Sequence, residues 1–452
     1  MGKLFGTDGV RGIANKDLTP ELACALGKAG TSVLAKASGG ASPIVIIGKD
    51  TRISGDMLED GLSAGIQAMG GSVIRVGVAP TPTVAFLVRD MGVDCGAVIS
   101  ASHNPFEYNG IKFFNSEGFK LDGALEDEIE AIVLNESAAA ESHALGADIG
   151  ETSYCEDDAL QRYVEHLLEG MSVSLKGIKV VADCANGAAV GAARMLFEAL
   201  GADLITIGDR PDGTNINDGV GSTHPEKLRE AVVASGANIG FAFDGDADRL
   251  IAVDENGGII DGDKIMYICA THYKRSGRLS GNLLTATVMS NIGLRFALER
   301  EGIDLQIADV GDRYVLELMR STGCVVGGEQ SGHIIFLDHN TTGDGLYASL
   351  KLIEALADMS VRASEAAAAV RIYPQALRNA RVKNENKGAY LSDPEIGIAI
   401  EKTEKKYDGE GRALIRASGT EPLVRVMIEG PDAEEVARDA AELSELIEKK
   451  LG

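Results

Sequence analysis

The chain has 452 residues, room for about two to four domains, and its 45% hydrophobic and 25% charged residues are an ordinary globular balance. Its 68 acidic against 43 basic residues give a formal net charge of -25, which excludes the broad basic face of a nucleic-acid binder and disfavours an anionic membrane surface. An anionic substrate must then be held by a few locally placed basic residues.

The amino-terminal MGKLFGTDGVRG has no apolar stretch and does not read as a signal peptide, and Gly6 stands where a myristoylation signal has Ser or Thr. The six cysteines, Cys24, Cys95, Cys155, Cys184, Cys269 and Cys324, form no CxxC pair, as expected of reduced thiols in a cytoplasmic protein. No apolar run reaches about 18 residues, so no transmembrane helix and no membrane partner are expected.

Three segments then share one pattern. Pro43 opens PIVIIGKDTRISG, followed by a helical stretch and SVIRVG from Ser72. Ile178 opens IKVVADCANGAAV, followed by MLFEALG and DLITIG from Asp203. Asn282 opens NLLTATVMSNIGL, followed by RFALERE and DLQIADVGDR from Asp304. Each reads as apolar strand, small or polar turn, helix and second strand, and such alternation implies parallel sheets covered by helices on both faces. Glu136 to Glu151 is polar and Ala-rich and reads as a linker. From about Arg371 the pattern changes to period-two strands and one amphipathic helix that starts after Pro431-Asp432, with acids in its first turn and lysines in its last. The expectation is three similar mixed α/β domains over 1–153, 154–255 and 256–370, and a C-terminal α+β domain over 371–452.

Five motifs carry chemistry. Arg11 sits in the Gly-rich turn GTDGVRG. In AVISASHNP an apolar strand ends on Ser102, which places a hydroxyl at the carboxyl end of a sheet, where α/β proteins put ligands. Ser102 alone is a loop serine or a nucleophile. His103 beside it makes a poor base, because adjacent side chains rarely hydrogen-bond productively, and there is no GxSxG elbow. Lys112, ten residues on, reads by itself as a surface lysine. In FAFDGDADRLIAVDENG the carboxylates of Asp244, Asp246 and Asp248 alternate and can converge on a hard cation such as Mg2+. Glu255 falls at the twelfth position of an EF-hand loop, but Arg249 replaces its central glycine and the flanks look like strands. A solvated acidic turn is the other reading, and Arg249 is a counter-ion or a phosphate ligand. GGEQSGHIIF brackets Glu329, Ser331 and His333 with glycines, as an ordinary turn or a loop recognising hydroxyls. IRASGTEPLVRV gathers Arg416, Ser418, Gly419, Thr420 and Arg425, a set suited to a phosphate, although it is not a Walker A loop.

In this order, FGTDGVRG, SASHNP, DGDADR, GEQSGH and RASGTEPLVRV resemble the α-D-phosphohexomutase superfamily over the whole chain. GEQSGH, rather than GEMSGH, favours its bacterial glucosamine-phosphate branch over the phosphomannomutase/phosphoglucomutase enzymes, which remain the alternative with the same mechanism. The resemblance implies four domains around a central cleft. It implies that glucosamine 6-phosphate and glucosamine 1-phosphate interconvert through a phosphorylated Ser102 and a 1,6-bisphosphate intermediate that reorients in the site. Ser102, Asp244, Asp246 and Asp248 would then ligate one Mg2+ per active site. Arg11, Arg249, Lys112 and His333 would act at the reacting centre, with Lys112 the candidate general acid/base. Glu329, Ser331 and His333 would meet the sugar, and Arg416, Ser418, Gly419, Thr420 and Arg425 the phosphate not being transferred. A sugar 1,6-bisphosphate would serve as activator, and a homodimer is a candidate assembly. A metal-dependent sugar-phosphate binder without turnover is the non-enzymatic rival.

Overall fold

The computed structural model of the chain describes residues 4–6, 8–37, 42–135, 143–171, 173–418 and 421–452. Of the expected linker, 136–142 lies outside the described residues, and the rest carries only a single 3-10 turn, Gly146–Asp148. By packing, the chain divides into two compact units: Met1–Met289 with Ile303–Ala368, and Ser290–Gly302 with Ala369–Gly452.

Among the described residues the first unit contains three sheets. The first comprises β1 (Phe5–Gly6), β2 (Gly9–Ile13), β3 (Ile44–Lys49), β4 (Ser72–Val78), β5 (Cys95–Ile99), β6 (Tyr108–Asn115) and β7 (Thr152–Tyr154), in the order β1-β2-β6-β5-β3-β4-β7. The second comprises β8 (Lys179–Asp183), β9 (Asp203–Ile207), β10 (Ile239–Phe243), β11 (Leu250–Asp254) and β12 (Ile259–Ile260), in the order β12-β11-β10-β8-β9. The third comprises β13 (Leu283–Thr287), β14 (Asp304–Ala308), β15 (Val326–Gly328) and β16 (Ile334–Phe336), in the order β14-β13-β15-β16.

The parallel pairing expected from the apolar runs holds for part of each sheet, and in the first sheet it extends to the edge strand β7, which lies parallel to β4. β3 pairs in parallel with β4 and β5, β8 with β9 and β10, and β13 with β14 and β15. A fourth strand then folds back antiparallel: β6 on β5, β11 on β10, β16 on β15. The reason is loop length, since a short turn cannot reverse the chain into a parallel neighbour and must make a hairpin. The sheets also run past the boundaries read from the sequence. β7 pairs with β4 across position 153, and β12 pairs with β11 beyond 255.

Helices cover the first sheet on both faces. Leu26 and Leu58 from one side join Val45, Ile47, Ala97 and Ile111 in one buried core. On the other side the helix Thr81–Asp90 lies against the strands so closely that a side chain at Gly48 or Gly96 would meet Val84 at 2.6 or 2.9 Å. Glycine in these two strands is therefore a packing requirement.

The second unit holds β17 (Gln375–Arg381), β18 (Arg412–Ala417) and β19 (Leu423–Glu429), antiparallel in the order β17-β19-β18. Val424, Val426 and Ile428 alternate into its core against Leu443 and Ile447 of the last helix, Ala433–Leu451. The Asp432 side chain caps that helix by accepting from the Glu435 N–H, with Glu434 and Glu435 in its first turn and Lys449 and Lys450 in its last.

Candidate active site

Three of the five motifs occupy equivalent places in the fold. The β5–β6 turn carries Ser102 and His103, the β10–β11 turn carries Asp244, Asp246, Asp248 and Arg249, and the β15–β16 turn carries Glu329, Ser331 and His333. Each turn follows the carboxyl end of the third parallel strand of its sheet. Tertiary contacts join them. The Thr81 N–H donates to the Asp246 carbonyl at 2.9 Å, and its hydroxyl to Asp246 Oδ2 at 2.7 Å. Arg249 and His333 form an antiparallel bridge, with the Leu250 N–H donating to the Gly332 carbonyl at 3.0 Å.

Ser102 is buried, and its Oγ donates to Asp244 Oδ2 at 2.5 Å. Its backbone is left-handed, φ +51°, a conformation uncommon for a residue with a side chain. The His103 Nδ1 does reach the same hydroxyl, at 3.4 Å, contrary to the expectation for neighbours in sequence. Burial, with Arg249 and Arg11 nearby, pushes that imidazole down to about 4, so it is neutral at pH 7. A neutral ring at this longer distance is the weaker of the two contacts.

Asp244, Asp246 and Asp248 are all buried, and one carboxylate oxygen from each lies within 4.8 Å of the others. Burial, then Asp248 and Asp246, pushes the Asp244 carboxyl well above its usual range. Burial acts in the same direction on Asp246, but Lys112 overrides it and holds that carboxyl low. Asp246 Oδ1 and Asp248 Oδ1 are buried with no hydrogen-bond partner among the described residues. Buried, mutually repelling carboxylates with unpartnered oxygens are a donor set for a hard divalent cation, and the residues present fit one. The flanking elements are strands, and Glu255 instead accepts from the Ser364 hydroxyl at 2.6 Å, so the EF-hand and the solvated turn are both excluded.

Lys112 is not the surface lysine its local sequence suggests: it is 1% exposed. Its Nζ lies 2.9 Å from Asp246 Oδ2, 3.2 Å from Asp8 Oδ2 and 3.8 Å from Asp248 Oδ2. Burial would lower its pKa, yet Asp246 and Asp8 raise it, so it is a fixed cation. Arg11, paired across β2–β6 with Gly110, is ion-paired with Asp8. Arg249 donates its backbone N–H to Asp244 Oδ1 at 3.1 Å, and its Nε stands 4.0 Å from Asp248 Oδ1. His333 is buried, with Nε2 3.7 Å from Asp248 Oδ2 and 3.9 Å from Asp312 Oδ2, and neither ring nitrogen has a hydrogen-bond partner among the described residues. Glu329 accepts the Gly311 N–H at 3.2 Å, and the exposed Ser331 hydroxyl stands 3.5 Å from its other oxygen.

Sequence reading missed Asp8, Thr81, Lys120 and Asp312. Lys120 pairs with Asp8 at 2.5 Å and with Asp312, tying the first sheet to the third. Asp8 was at hand inside GTDGVRG. The other three lie outside any motif and meet the site only through the fold.

In the second unit Arg416 and Arg425 are direct cross-strand partners on β18 and β19. Like charges placed opposite one another destabilise a sheet. Arg425 Nη2 stands 3.2 Å from Glu421 Oε2, while its buried Nε has no partner among the described residues. Ser418 closes the turn, its N–H donating to the Leu423 carbonyl at 2.8 Å and its hydroxyl accepting from the Glu421 N–H at 3.2 Å. Gly419 and Thr420 lie outside the described residues.

Family models describing phosphoglucomutase/phosphomannomutase match in chain order: α/β/α domain I over residues 2–140, domain II over 161–258, domain III over 261–373 and the C-terminal domain over 377–446. The chain belongs to the phosphoglucomutase/phosphomannomutase family, isomerases that work by phosphoryl transfer. A curated relative, the phosphoglucosamine mutase of Thermoanaerobacter sp. (strain X514), is 54% identical over 451 residues, 100% of both chains. Among solved structures, a phosphoglucomutase/phosphomannomutase family protein from Burkholderia thailandensis aligns with TM-score 0.79 and 26% identity, over 98% of this chain and 97% of its own. The N-acetylphosphoglucosamine mutase of Aspergillus fumigatus, solved with GlcNAc-6P and magnesium, shares the fold with TM-score 0.69 and 18% identity, over 100% of this chain and 96% of its own.

Proposed function

We propose that the chain interconverts glucosamine 6-phosphate and glucosamine 1-phosphate, and that Ser102 is its phosphoryl carrier. The observation that carries the reading is the buried Ser102 hydroxyl, 2.5 Å from Asp244 within the carboxylate triad. A hydroxyl aimed into a cation site is where a phosphoryl group can be both held and released. Asp244, Asp246 and Asp248, with the phosphorylated Ser102 oxygen, would hold one Mg2+, which when bound neutralises charge on the transferring group.

In the forward direction the Oγ–phosphorus bond of Ser102 breaks as the O1–phosphorus bond of the sugar forms. The proton leaving O1 needs an acceptor. Lys112 is held as a cation by Asp246 and Asp8, so it serves better as a fixed charge beside the transferring phosphoryl than as a base. His333, buried and with both ring nitrogens unpartnered among the described residues, is the better acceptor. In the second half the 6-phosphate of the bisphosphate returns to Ser102, and the proton goes back to O6. Arg11 and Arg249 add charge at the reacting centre. Glu329 and Ser331 take sugar hydroxyls, and Arg416, Ser418 and Arg425, with Gly419 and Thr420, take the phosphate that is not moving.

A sugar 1,6-bisphosphate activator, which would restore the phosphoryl group to Ser102, and the four domains read from the sequence, with the first two limits moved to take in β7 and β12, belong to the same proposal. So does a homodimer. A cytoplasmic location agrees with six unpaired cysteines.

The test is intact-mass and peptide analysis after incubation with glucosamine 1,6-bisphosphate, beside a coupled assay on glucosamine, mannose and glucose phosphates. A phosphoryl adduct on the SASHNP peptide and fastest turnover of glucosamine phosphate are expected. No adduct, with Ser102→Ala fully active, would remove the carrier. Faster turnover of mannose phosphate would replace the substrate.

A further inference from the structure

Ser102 is held by more than its hydroxyl. Its carbonyl accepts from Arg52 Nη2 at 3.1 Å and from Asn217 Nδ2 at 2.9 Å. The same two donors take the Asn104 carbonyl, at 2.6 and 3.1 Å. The Ser102 N–H donates to Ser100 Oγ at 2.9 Å, and a side chain at Gly245 would lie 2.5 Å from the Ser102 carbonyl. Every backbone polar atom of the serine is therefore engaged, while its φ is left-handed.

Both donors are themselves fixed. The Arg52 side chain is fully buried and ion-paired with Asp50, whose Oδ1 also accepts the Arg52 N–H at 3.0 Å. The Asp50 N–H donates to the Ile99 carbonyl, at the end of the strand that delivers Ser102. Asn217, itself left-handed at φ +60°, donates its N–H to the Ala185 carbonyl at 2.9 Å. The loop holding Arg52 also docks on the second sheet's loops, through the Thr51 hydroxyl to the Asn186 carbonyl at 2.5 Å and the Ile53 N–H to the Gly213 carbonyl at 2.9 Å.

We propose that Arg52 and Asn217 are positioning residues that clamp the Ser102 and Asn104 carbonyls between two sheets and so aim the Ser102 hydroxyl at Asp244. The inference rests on Ser102 being the phosphoryl carrier. The argument is one of conformation. A left-handed serine relaxes toward the ordinary β or α regions unless its carbonyl is pinned, and relaxation swings Oγ out of line with the triad. One donor comes from the serine's own sheet and the other from the sheet that bears Asp244. The pair therefore fixes the distance between hydroxyl and carboxylate whether or not Oγ carries phosphorus.

Two variants of the full chain test this. Asn217→Gly keeps a left-handed backbone and removes the donor. Arg52→Lys keeps the charge opposite Asp50 and loses the planar fork. Each is measured for kcat and KM with glucosamine 6-phosphate, for melting temperature, and for the rate of phosphoryl incorporation into Ser102 from glucosamine 1,6-bisphosphate with Mg2+. The expected result is a kcat lower by about tenfold to a hundredfold, incorporation slowed by the same factor, and KM and melting temperature nearly unchanged. If Arg52→Lys does not fold, Asn217→Gly decides alone. Wild-type kcat and incorporation in the folded variants, or losses that follow the melting temperature, would overturn the clamp. No incorporation into wild-type Ser102 would overturn the carrier reading, and the clamp with it. Normal wild-type incorporation with equally fast variants overturns the clamp only.

Discussion

Replacing Lys112 with methionine removes the cation at the centre of the site and keeps nearly the same volume. The side chain is buried, with Asp246, Asp8 and Asp248 at 2.9, 3.2 and 3.8 Å. Removing one partner of a buried ion pair costs about 3–5 kcal/mol, because the other charge stays behind without its counter-ion. Folded proteins hold about 5–15 kcal/mol in total, so Lys112→Met should fold but lose a large share of its margin. The carboxylates left behind also make the variant hungrier for a cation. Saturating Mg2+ should therefore raise its urea midpoint more than it raises that of the wild type. Turnover should fall about a hundredfold or more in both cases, since the charge beside the transferring phosphoryl is gone. The assay is urea unfolding at pH 7, with excess chelator and with Mg2+, beside steady-state kinetics. A stability loss below about 1 kcal/mol in chelator, or an Mg2+ shift no larger than that of the wild type, would refute the ion-pair reasoning.

A second test is pH. His339 stacks 4.2 Å from His166 and 3.5 Å from Tyr347, and burial, with His166 the next cause, pushes it from 6.5 down to about 2. A depressed histidine stays neutral in the fold but takes a proton when unfolded, so stability falls as pH drops below about 6.5, by up to about 1.4 kcal/mol per pH unit. His339→Phe keeps the stack and abolishes the titration, so its stability between pH 7 and pH 5 should fall less steeply than that of the wild type in urea titrations; equal slopes would remove the effect. In the second unit, Arg425→Ala should cost about tenfold to a hundredfold in kcat/KM, one charge-assisted phosphate contact, and release free glucosamine 1,6-bisphosphate visible in a ³¹P NMR time course. Phosphorylation of Ser102 by added bisphosphate should continue in that variant.

Residues that act through local spacing were legible in the sequence. The triplet Asp244, Asp246 and Asp248 announces its convergence by alternation, and the Asp432 cap follows from one helix start. Ser102 was legible as a strand-end hydroxyl, but its left-handed backbone was not, because serine has no intrinsic preference for that region. The same limit hid Arg52 and Asn217. Asp50-Thr51-Arg52 follows β3, and only the rule that ligand sites gather at the carboxyl ends of parallel strands would have singled it out. Lys112 was placed at the reacting centre only through the family resemblance, because a lysine taken by itself reads as exposed until its partners are known. Those partners, Asp8 and Asp246, lie far from it along the chain. The antiparallel fourth strands were missed because an apolar run indicates burial and says nothing about direction.

The excess of negative charge also takes on a structural meaning at the site. A chain of charge -25 that handles phosphorylated sugars needs cations that do not drift. Each cation here is seated on a carboxylate: Arg11 on Asp8, Lys112 on Asp246 and Asp8, Lys120 on Asp8 and Asp312. The pairs cross sheet boundaries, since Asp246 belongs to the second sheet's hairpin and Asp312 follows β14 of the third. The Lys112 and Lys120 pairs therefore also tie the first sheet to the second sheet's hairpin and to the helix that follows β14. The acids at this centre orient the bases, and the protein needs no basic surface to capture an anion.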